Sequence, residues 1–255
     1  MKIIGISGRK QAGKNTVANY ITGCIIKNLN MVSDFDISNK GQLEVETLNG
    51  NGEKGWGIFD ITRKDVDFVS YAEQELWPHV KLYHFADPLK ELCVNLFDLS
   101  PSQVYGTDED KNTKTPYAAQ GSALKGKDVL EDINMTAREF LQYFGTDVMR
   151  SIKDSVWVDY TLKVIKQEQP SVSLIPDVRF PNEIDAIHKA GGIVIRLTRD
   201  IYSDNHRCES ALDPENFDWS KFDYTIDNHT NVADLIKILE EHKHIWSETH
   251  ASNLY

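Results

Sequence analysis

Short runs of apolar residues recur along the chain, and most of them precede a segment with helical spacing. Continuous apolar runs of this kind are typical of strands buried on both faces of a parallel sheet. The strands predicted in this way are 3–6, 81–85, 172–175, 193–197 and, from its alternation, 222–226. Strands that alternate with helices indicate an α/β fold with a central, mostly parallel sheet and helices on both faces.

Helices are predicted between these strands from apolar residues three or four positions apart. The first begins after Gly13 and the last begins near Val232. Pro88 and Pro181 suit the first turns of two further helices, because proline lacks the N–H that a helix start leaves unpaired. Asp87 stands at the end of a predicted strand, where it is expected either to lie near a ligand or to cap the following helix.

A capping box at Thr136-Ala137-Arg138-Glu139 predicts another helix start, and Gly145 is the predicted terminator about two turns later. Phe140 and Phe144 share one face of this helix. Arg138 and Gln142 lie four positions apart and share the opposite face. A polar face of this kind is ordinarily solvated, but the following Gly-Thr-Asp and Arg150 add groups suited to binding phosphate or a base.

Two segments interrupt the alternation of strands and helices. An Asn-Gly pair between alternating residues predicts a β-hairpin insertion within residues 33–75. Trp56 in this insertion is expected to be a packed loop aromatic, with base stacking as the alternative. Residues 100–134 are polar and rich in Gly, Thr and Lys. A loop of this length is predicted to be a lid or an acceptor-binding flap.

Composition limits the class of protein. The chain has 255 residues, of which 40% are apolar and 26% charged, as in soluble globular proteins. No apolar run is long enough to span a membrane, and no signal peptide precedes the first strand. The three cysteines, Cys24, Cys93 and Cys208, are widely spaced, which predicts a reduced cytoplasmic protein without disulfides or a zinc site. The net charge of −11 disfavours broad contact with nucleic acid, so small-molecule partners are predicted.

The strongest chemical signal is Gly8-Arg9-Lys10-Gln11-Ala12-Gly13-Lys14, which lies between the first strand and the first helix. Glycines allow main-chain N–H groups to turn toward a phosphate, and the helix start adds partial positive charge. Lys14 would reach the β- and γ-phosphates of a nucleoside triphosphate. A plain glycine-rich turn is the alternative, but the full spacing favours phosphate binding. The predicted ATP-binding residues are Gly8, Gln11, Ala12, Gly13, Lys14, Asn15 and Thr16.

Further residues indicate magnesium and phosphate contacts. Asn15 stands where a Ser or Thr usually contacts Mg²⁺, and Thr16 follows it. Asp177 follows a predicted strand, where a carboxylate can hold Mg²⁺ or its water. Arg179 has forked donors that suit phosphate, although a salt bridge with Asp177 or Glu183 is the alternative. The predicted metal residues are Thr16 and Asp177; His206, Glu209 and Ser210 receive no role.

The order and spacing of these motifs resemble the bacteriophage deoxynucleoside monophosphate kinases, which have the nucleoside monophosphate kinase fold. The segments that carry the resemblance are 8–16, Phe85-Ala86-Asp87-Pro88-Leu89-Lys90, 138–147, Trp157-Val158, 176–183 and 222–228. Together they cover most of the chain outside 33–75 and 100–134. The resemblance implies a three-layer P-loop kinase that forms one domain over 1–255. The family often carries Asp at the position of Asn15.

The resemblance implies ATP-dependent phosphorylation of deoxynucleoside monophosphates to diphosphates in the host cytoplasm, with ATP and Mg²⁺ as cofactors. The implied catalytic residues are Lys14, Arg138, Asp177 and Arg179. The implied acceptor contacts are Lys10, Arg138, Gln142, Gly145, Thr146, Trp157, Arg179 and Glu183. Core packing is the alternative for Trp157. No covalent intermediate is expected, and a homodimer is left open.

Two other functions fit the same motifs. The first is a different small-molecule P-loop kinase, acting on a nucleoside or on dephospho-coenzyme A. The second is a regulatory protein that binds a nucleotide without catalysis, in which Asn15 would mark the lost activity. Turnover with a panel of acceptors separates these functions from the first.

Overall fold

The computed structural model describes residues 1–48, 51–118, 134–200 and 210–247. Contacts divide the chain into two compact units. Unit 1 comprises residues 1–84 and those from 162 onward, and unit 2 comprises residues 85–161. The single domain over 1–255 stays a prediction.

Five strands among the described residues form the central parallel sheet of unit 1. They are β1 (Lys2–Ser7), β5 (Val80–Leu82), β8 (Val172–Val178), β9 (Ile193–Leu197) and β10 (Tyr224–Ile226). Their spatial order is β10-β9-β1-β8-β5, and every neighbouring pair is parallel. The α/β class and the parallel sheet predicted from the apolar runs are therefore confirmed. Parallel order also places the carboxyl ends of all these strands at one edge.

Three of the predicted strands differ from the observed ones by two residues or more at one end. The predicted strand 81–85 ends at Leu82, and the predicted strand 222–226 begins at Tyr224. β8 instead continues three residues beyond its predicted end and includes Pro176 and Asp177. The register against β1 shifts at this point, and such an irregularity accommodates a proline that cannot donate to the ladder.

Helices cover both faces of the sheet in unit 1. The helices assigned wholly to this unit are α1 (Lys14–Asn28), α2 (Val66–Tyr71), α9 (Pro181–Lys189), α10 (Val232–Glu241) and α11 (His244–Ser247). A π-helical turn over Ala72–Leu76 extends α2. Ile4 and Ile6 share a core with α1 and α10, whereas the neighbouring Gly5 meets Ile187 of α9. Because side chains alternate along a strand, α9 covers the face opposite to α1.

The predicted β-hairpin insertion is confirmed, with one additional strand. β3 (Leu43–Leu48) and β4 (Lys54–Ile58) pair antiparallel, and β2 (Asp34–Ile37) pairs with the other side of β3. Residues 49–50, which gave the turn signal, lie outside the described residues. The expectation for Trp56 was wrong, because it lies in β4 and is 53% exposed. It shares the sheet face of its partner Glu46, away from the face through which Phe35 and Val45 join the core.

Gly23 of α1 sets how closely the inserted sheet packs on that helix. A Cβ at this position would lie 2.3 Å from Cδ2 of Phe35. We expect Gly23→Ala to lower the free energy of unfolding by about 1–3 kcal/mol, because overpacking outweighs the better helix propensity of alanine. Urea unfolding measures this change. Gly55→Ala is the matched control, since an added Cβ there meets nothing within 4 Å. A Gly23→Ala protein as stable as the parent would contradict this packing.

Unit 2 contains short helices and a two-stranded sheet among its described residues. Its elements are α3 (Asp87–Phe97), α4 (Pro101–Tyr105), α5 (Asp108–Lys111), β6 (Lys114–Ala118), β7 (Asn134–Thr136), α6 (Ala137–Gln142), a π-helical turn Tyr143–Met149 and α7 (Arg150–Ile152). α8 (Val156–Glu168) begins in unit 2 and ends in unit 1. The prediction of one long loop was wrong over 101–118, because capping boxes at Ser100 and Thr107 start two helices there. Residues 119–133 of the predicted lid lie outside the described residues.

The start of α6 is confirmed, but its predicted end is wrong. Thr136 and Glu139 form the capping box that the sequence indicates. The helical backbone then passes through Gly145 as a π-helical turn. Gly145 is instead a packing position, since an added Cβ would lie 2.4 Å from Cδ2 of Leu89. Its carbonyl also accepts the indole N–H of Trp157 at 3.0 Å.

Cys24 and Cys93 are buried free thiols, and Cys208 lies outside the described residues. Burial raises the pKa of Cys93 to about 11, as expected of a structural thiol with little thiolate character. Among the described helices, none combines the length and apolarity needed to cross a bilayer.

Candidate functional site

The strand–loop–helix arrangement predicted around Gly8 and Gly13 is confirmed in unit 1. β1 ends at Ser7, and α1 begins at Lys14. Two loop residues have left-handed backbone conformations, Gln11 with φ 60° and Gly13 with φ 94°. The N–H of Ala12 donates to the carbonyl of Arg9 at 3.1 Å, which closes a tight turn. The loop therefore curves and delivers the N-terminus of a fifteen-residue helix to the carboxyl edge of the sheet.

Lys14 extends back over this loop. Its ammonium donates to the carbonyls of Gly8 at 2.6 Å and Arg9 at 2.7 Å. A positive group is thus fixed at the loop, beside the helix N-terminus with its own partial positive charge. Together they form an environment suited to the oxygens of a phosphate chain.

Asp177 and Arg179 lie at the end of the strand next to the loop. β8 is a direct neighbour of β1, and Val178 pairs with Ser7. Asp177 precedes that pair and Arg179 follows it, so the sheet places both residues at the edge where the phosphate loop starts. The structure therefore places Asp177 and Arg179 at the sheet edge where the phosphate loop begins; their contacts with magnesium and phosphate stay predictions.

Glu183 holds the turn that carries Arg179. Its side chain is 2% exposed, and Oε2 accepts the main-chain N–H groups of Arg179 at 2.6 Å and Phe180 at 3.0 Å. This carboxylate stabilises the start of α9 in the manner of a capping group. The predicted contact of Glu183 with a substrate stays a prediction.

The side chains of Asn15 and Thr16 lie in different surroundings. Asn15 is exposed in the first turn of α1. Thr16 faces the turn between β2 and β3, where a Cβ on Gly41 would lie 2.2 Å from its hydroxyl. Asn19 of the same helix donates to the carbonyl of Gly41 at 2.8 Å. The inserted sheet therefore packs on the first turns of the helix that follows the phosphate loop.

Sequence reasoning missed two side chains that contact the loop. Asn228 donates to the carbonyl of Ala12 at 2.6 Å and accepts the N–H of Arg199 at 3.0 Å. Asp213 binds the guanidinium of Arg9. Both partners are more than 200 residues from the loop in sequence. The signal that could have found Asn228 was its position two residues after the last described strand of a parallel sheet.

The remaining predicted residues except Lys10 lie in unit 2, on α6, its π-helical turn and α8. Arg138 donates to Asp108 at 2.6 Å and to Asn112 at 3.2 Å, in a half-exposed network. Gln142 and Thr146 are half-buried. Trp157 is 6% exposed, which supports core packing as one of its roles. Lys10, the other predicted acceptor contact, is half-buried in the phosphate loop of unit 1.

A phenol and two charged groups lie together at the start of α3. Burial raises the pKa of Tyr105, and the charge of Asp87 raises it further. The ammonium of Lys90 lies 3.6 Å from Asp87 and 5.0 Å from the centre of the Tyr105 ring. Asp87 therefore lies in a charged cluster at this helix start. The alternative that it caps the helix was wrong, because the N-cap residue is Ala86, and its position near a ligand stays a prediction.

Comparison with known proteins identifies relatives over almost the whole chain. The sequence model of the family "deoxynucleotide monophosphate kinase" matches residues 2–238. A putative deoxynucleotide monophosphate kinase of Acanthamoeba polyphaga mimivirus is 35% identical over 163 residues, which cover 58% of this chain and 71% of the relative. The deoxynucleotide monophosphate kinase of Enterobacteria phage T4 is 24% identical over 229 residues, 83% of this chain and 88% of that protein.

Proposed function

Because the chain belongs to the deoxynucleotide monophosphate kinase family, we propose that it transfers the γ-phosphoryl group of ATP to a deoxynucleoside monophosphate. The products are ADP and the deoxynucleoside diphosphate. The relatives come from a phage and a giant virus, which supports a role in viral nucleotide metabolism.

The observation that carries this proposal is the phosphate loop with Lys14. Phosphoryl transfer requires little covalent chemistry from a protein, and positioning and charge neutralisation supply most of the catalysis. In our proposal the main-chain N–H groups of residues 8–16 bind the phosphate chain of ATP. The ammonium of Lys14 leaves one of its two carbonyl partners and binds the β- and γ-phosphate oxygens.

Magnesium fits the oxygen donors at this edge of the sheet. Carboxylate and amide oxygens are ligands of the type that Mg²⁺ prefers, usually with several retained waters. The half-buried carboxylate of Asp177 and the exposed amide of Asn15 supply such oxygens, whereas Thr16 faces the turn at Gly41. We therefore assign Asp177 first, with Asn15 and Thr16 as further candidates. Bound Mg²⁺ would neutralise charge on the phosphates.

The acceptor residues in unit 2 are part of the same proposal. Arg138 has the forked guanidinium that suits a monophosphate, and its ion pair with Asp108 is exposed enough to exchange for one. Gln142, Gly145 and Thr146 are assigned to the base or sugar. Trp157 supports Gly145 through the indole hydrogen bond and thereby shapes this region.

Measuring ADP release against the four standard deoxynucleoside monophosphates tests the proposal. Turnover that depends on both ATP and one or more of these acceptors is the expected result. Nucleosides and dephospho-coenzyme A belong in the same panel, because turnover with one of them alone would assign another kinase activity. Tight ATP binding without turnover on any acceptor would instead favour the regulatory protein.

A further inference from the structure

Asp213 binds the phosphate loop through the side chain of Arg9. The guanidinium donates from Nε to Oδ1 at 3.1 Å and from Nη2 to Oδ2 at 2.6 Å. This two-bond geometry fixes the orientation of both groups. The Arg9 and Asp213 side chains are 17% and 9% exposed, so water and salt screen the pair much less than a surface ion pair. Asp200 also contacts the guanidinium, at 3.3 Å, from a more exposed position.

The main chain of Arg9 in turn organises the loop. Its carbonyl accepts the N–H of Ala12 at 3.1 Å, which closes the turn. The same carbonyl accepts the ammonium of Lys14 at 2.7 Å. A change in the orientation of Arg9 would therefore shift the curvature of the loop and the position of the lysine together.

Asp213 is itself fixed to the central sheet. Arg196 of β9 is 5% exposed and donates from Nη1 to the hydroxyl of Ser7, the last residue of β1, at 3.0 Å. Its Nη2 lies 3.9 Å from Oδ1 of Asp213. The guanidinium lies 5.0 Å from the ring of Trp219, whose indole N–H donates to the carbonyl of Leu212 at 2.9 Å. A buried cation therefore lies beside the carboxylate, and the indole of Trp219 fixes the main chain at the preceding residue, Leu212.

We propose that Asp213 is a positioning residue for ATP, which acts through Arg9 rather than on the nucleotide. It holds the guanidinium of Arg9, and Arg9 holds the carbonyl that orients both the loop and Lys14. The inference rests on the proposed function, since it requires that the loop bind ATP. It adds a residue more than 200 positions away that determines how well the loop does so.

The ATP dissociation constant, measured by calorimetry, tests this assignment. Asp213→Asn preserves the size of the side chain and removes its charge, so we expect ATP to bind about tenfold more weakly. Arg9→Ala is expected to weaken binding similarly. The double variant Arg9→Ala/Asp213→Asn is expected to bind no more weakly than Arg9→Ala, because Asp213 acts through Arg9. Asp223→Asn is the matched control, because Asp223 also accepts an N–H and pairs with His188 in unit 1; its ATP affinity should stay within about twofold of the parent.

Steady-state kinetics and thermal unfolding separate positioning from a merely structural role. Positioning raises KM for ATP and leaves KM for the acceptor unchanged, whereas a structural defect lowers the unfolding temperature without changing the ATP affinity of the folded protein. Parent-like ATP affinity of Asp213→Asn, or additive losses in the double variant, would overturn the inference. If Asp213→Asn does not fold, the ATP dissociation constant of Arg9→Lys tests the inference instead. An Arg9→Lys protein with the ATP affinity of the parent would also overturn the inference. A parent protein that binds no ATP would instead overturn the proposed function.

Discussion

Replacing Lys14 by alanine is expected to abolish phosphoryl transfer while the protein stays folded. The ammonium of Lys14 lies over the phosphate loop, where it donates to the carbonyls of Gly8 and Arg9. Neutralising charge on the transferred phosphoryl group is the main work of such a site, so we expect a loss of about 10³-fold or more in kcat/KM. ADP release with ATP and a deoxynucleoside monophosphate measures it.

The loss of Lys14 costs little of the fold, because the loop keeps its own main-chain bonds. The N–H groups of Ala12 and Val17 still donate to Arg9 and Gly13. Two hydrogen bonds at a half-buried site are worth about 1–3 kcal/mol, and thermal unfolding reports that change separately. Lys27→Ala on the same helix is the matched control, since its pair with Asp34 is half-exposed. Turnover by Lys14→Ala close to that of the parent would contradict the assignment of this lysine to the active site.

Arg179→Ala should produce a comparable loss of activity. Arg179 follows β8 at the sheet edge next to the loop, and its forked donors suit a phosphoryl group that carries charge on several oxygens. Removal of an arginine that stabilises this charge costs on the order of 10³-fold in rate. Single-turnover measurements with saturating ATP would report the defect on the transfer step itself.

The structure explains why Arg179→Ala should fold. Glu183 accepts the main-chain N–H of Arg179, and truncation of the side chain leaves that bond in place, so the turn before α9 stays capped. Arg179→Lys keeps the charge without the fork and is expected to retain intermediate activity. Arg63→Ala removes a guanidinium from an exposed pair with Asp65 and should leave turnover unchanged. An Arg179→Ala protein with parent-like single-turnover rates would refute the role.

Local signals in the sequence predicted much of unit 1. β1, β9 and the start of α9 follow from a continuous apolar run or from a proline that suits a first helical turn. The phosphate loop was predicted from its spacing, because each glycine position reports a main-chain requirement within a few residues. Gly13 has the positive φ expected of such a position.

The same local rules failed where distant packing decided the conformation. Glycine commonly terminates helices, yet at Gly145 the helical backbone continues. Leu89 packs against this glycine, and the indole of Trp157 donates to its carbonyl. Proline commonly ends a strand because it lacks an N–H, yet a shift in register keeps Pro176 inside β8. At Gly145 a tertiary contact outweighed a local preference of about 1 kcal/mol. At Pro176 the pairing of β8 with β1 outweighed the usual exclusion of proline from central strands.

The sequence by itself determined the phosphate loop, the alternation of strands and helices, and the family resemblance. These features depend on main-chain preferences and apolar periodicity within short stretches of chain. The tertiary structure alone decided the strand order, which sets β8 and β9 on either side of β1. It also decided the pairing of Arg9 with Asp213, and of Ala12 with Asn228. Such contacts depend on which surfaces the folded chain buries together, and no local pattern in the sequence encodes that choice.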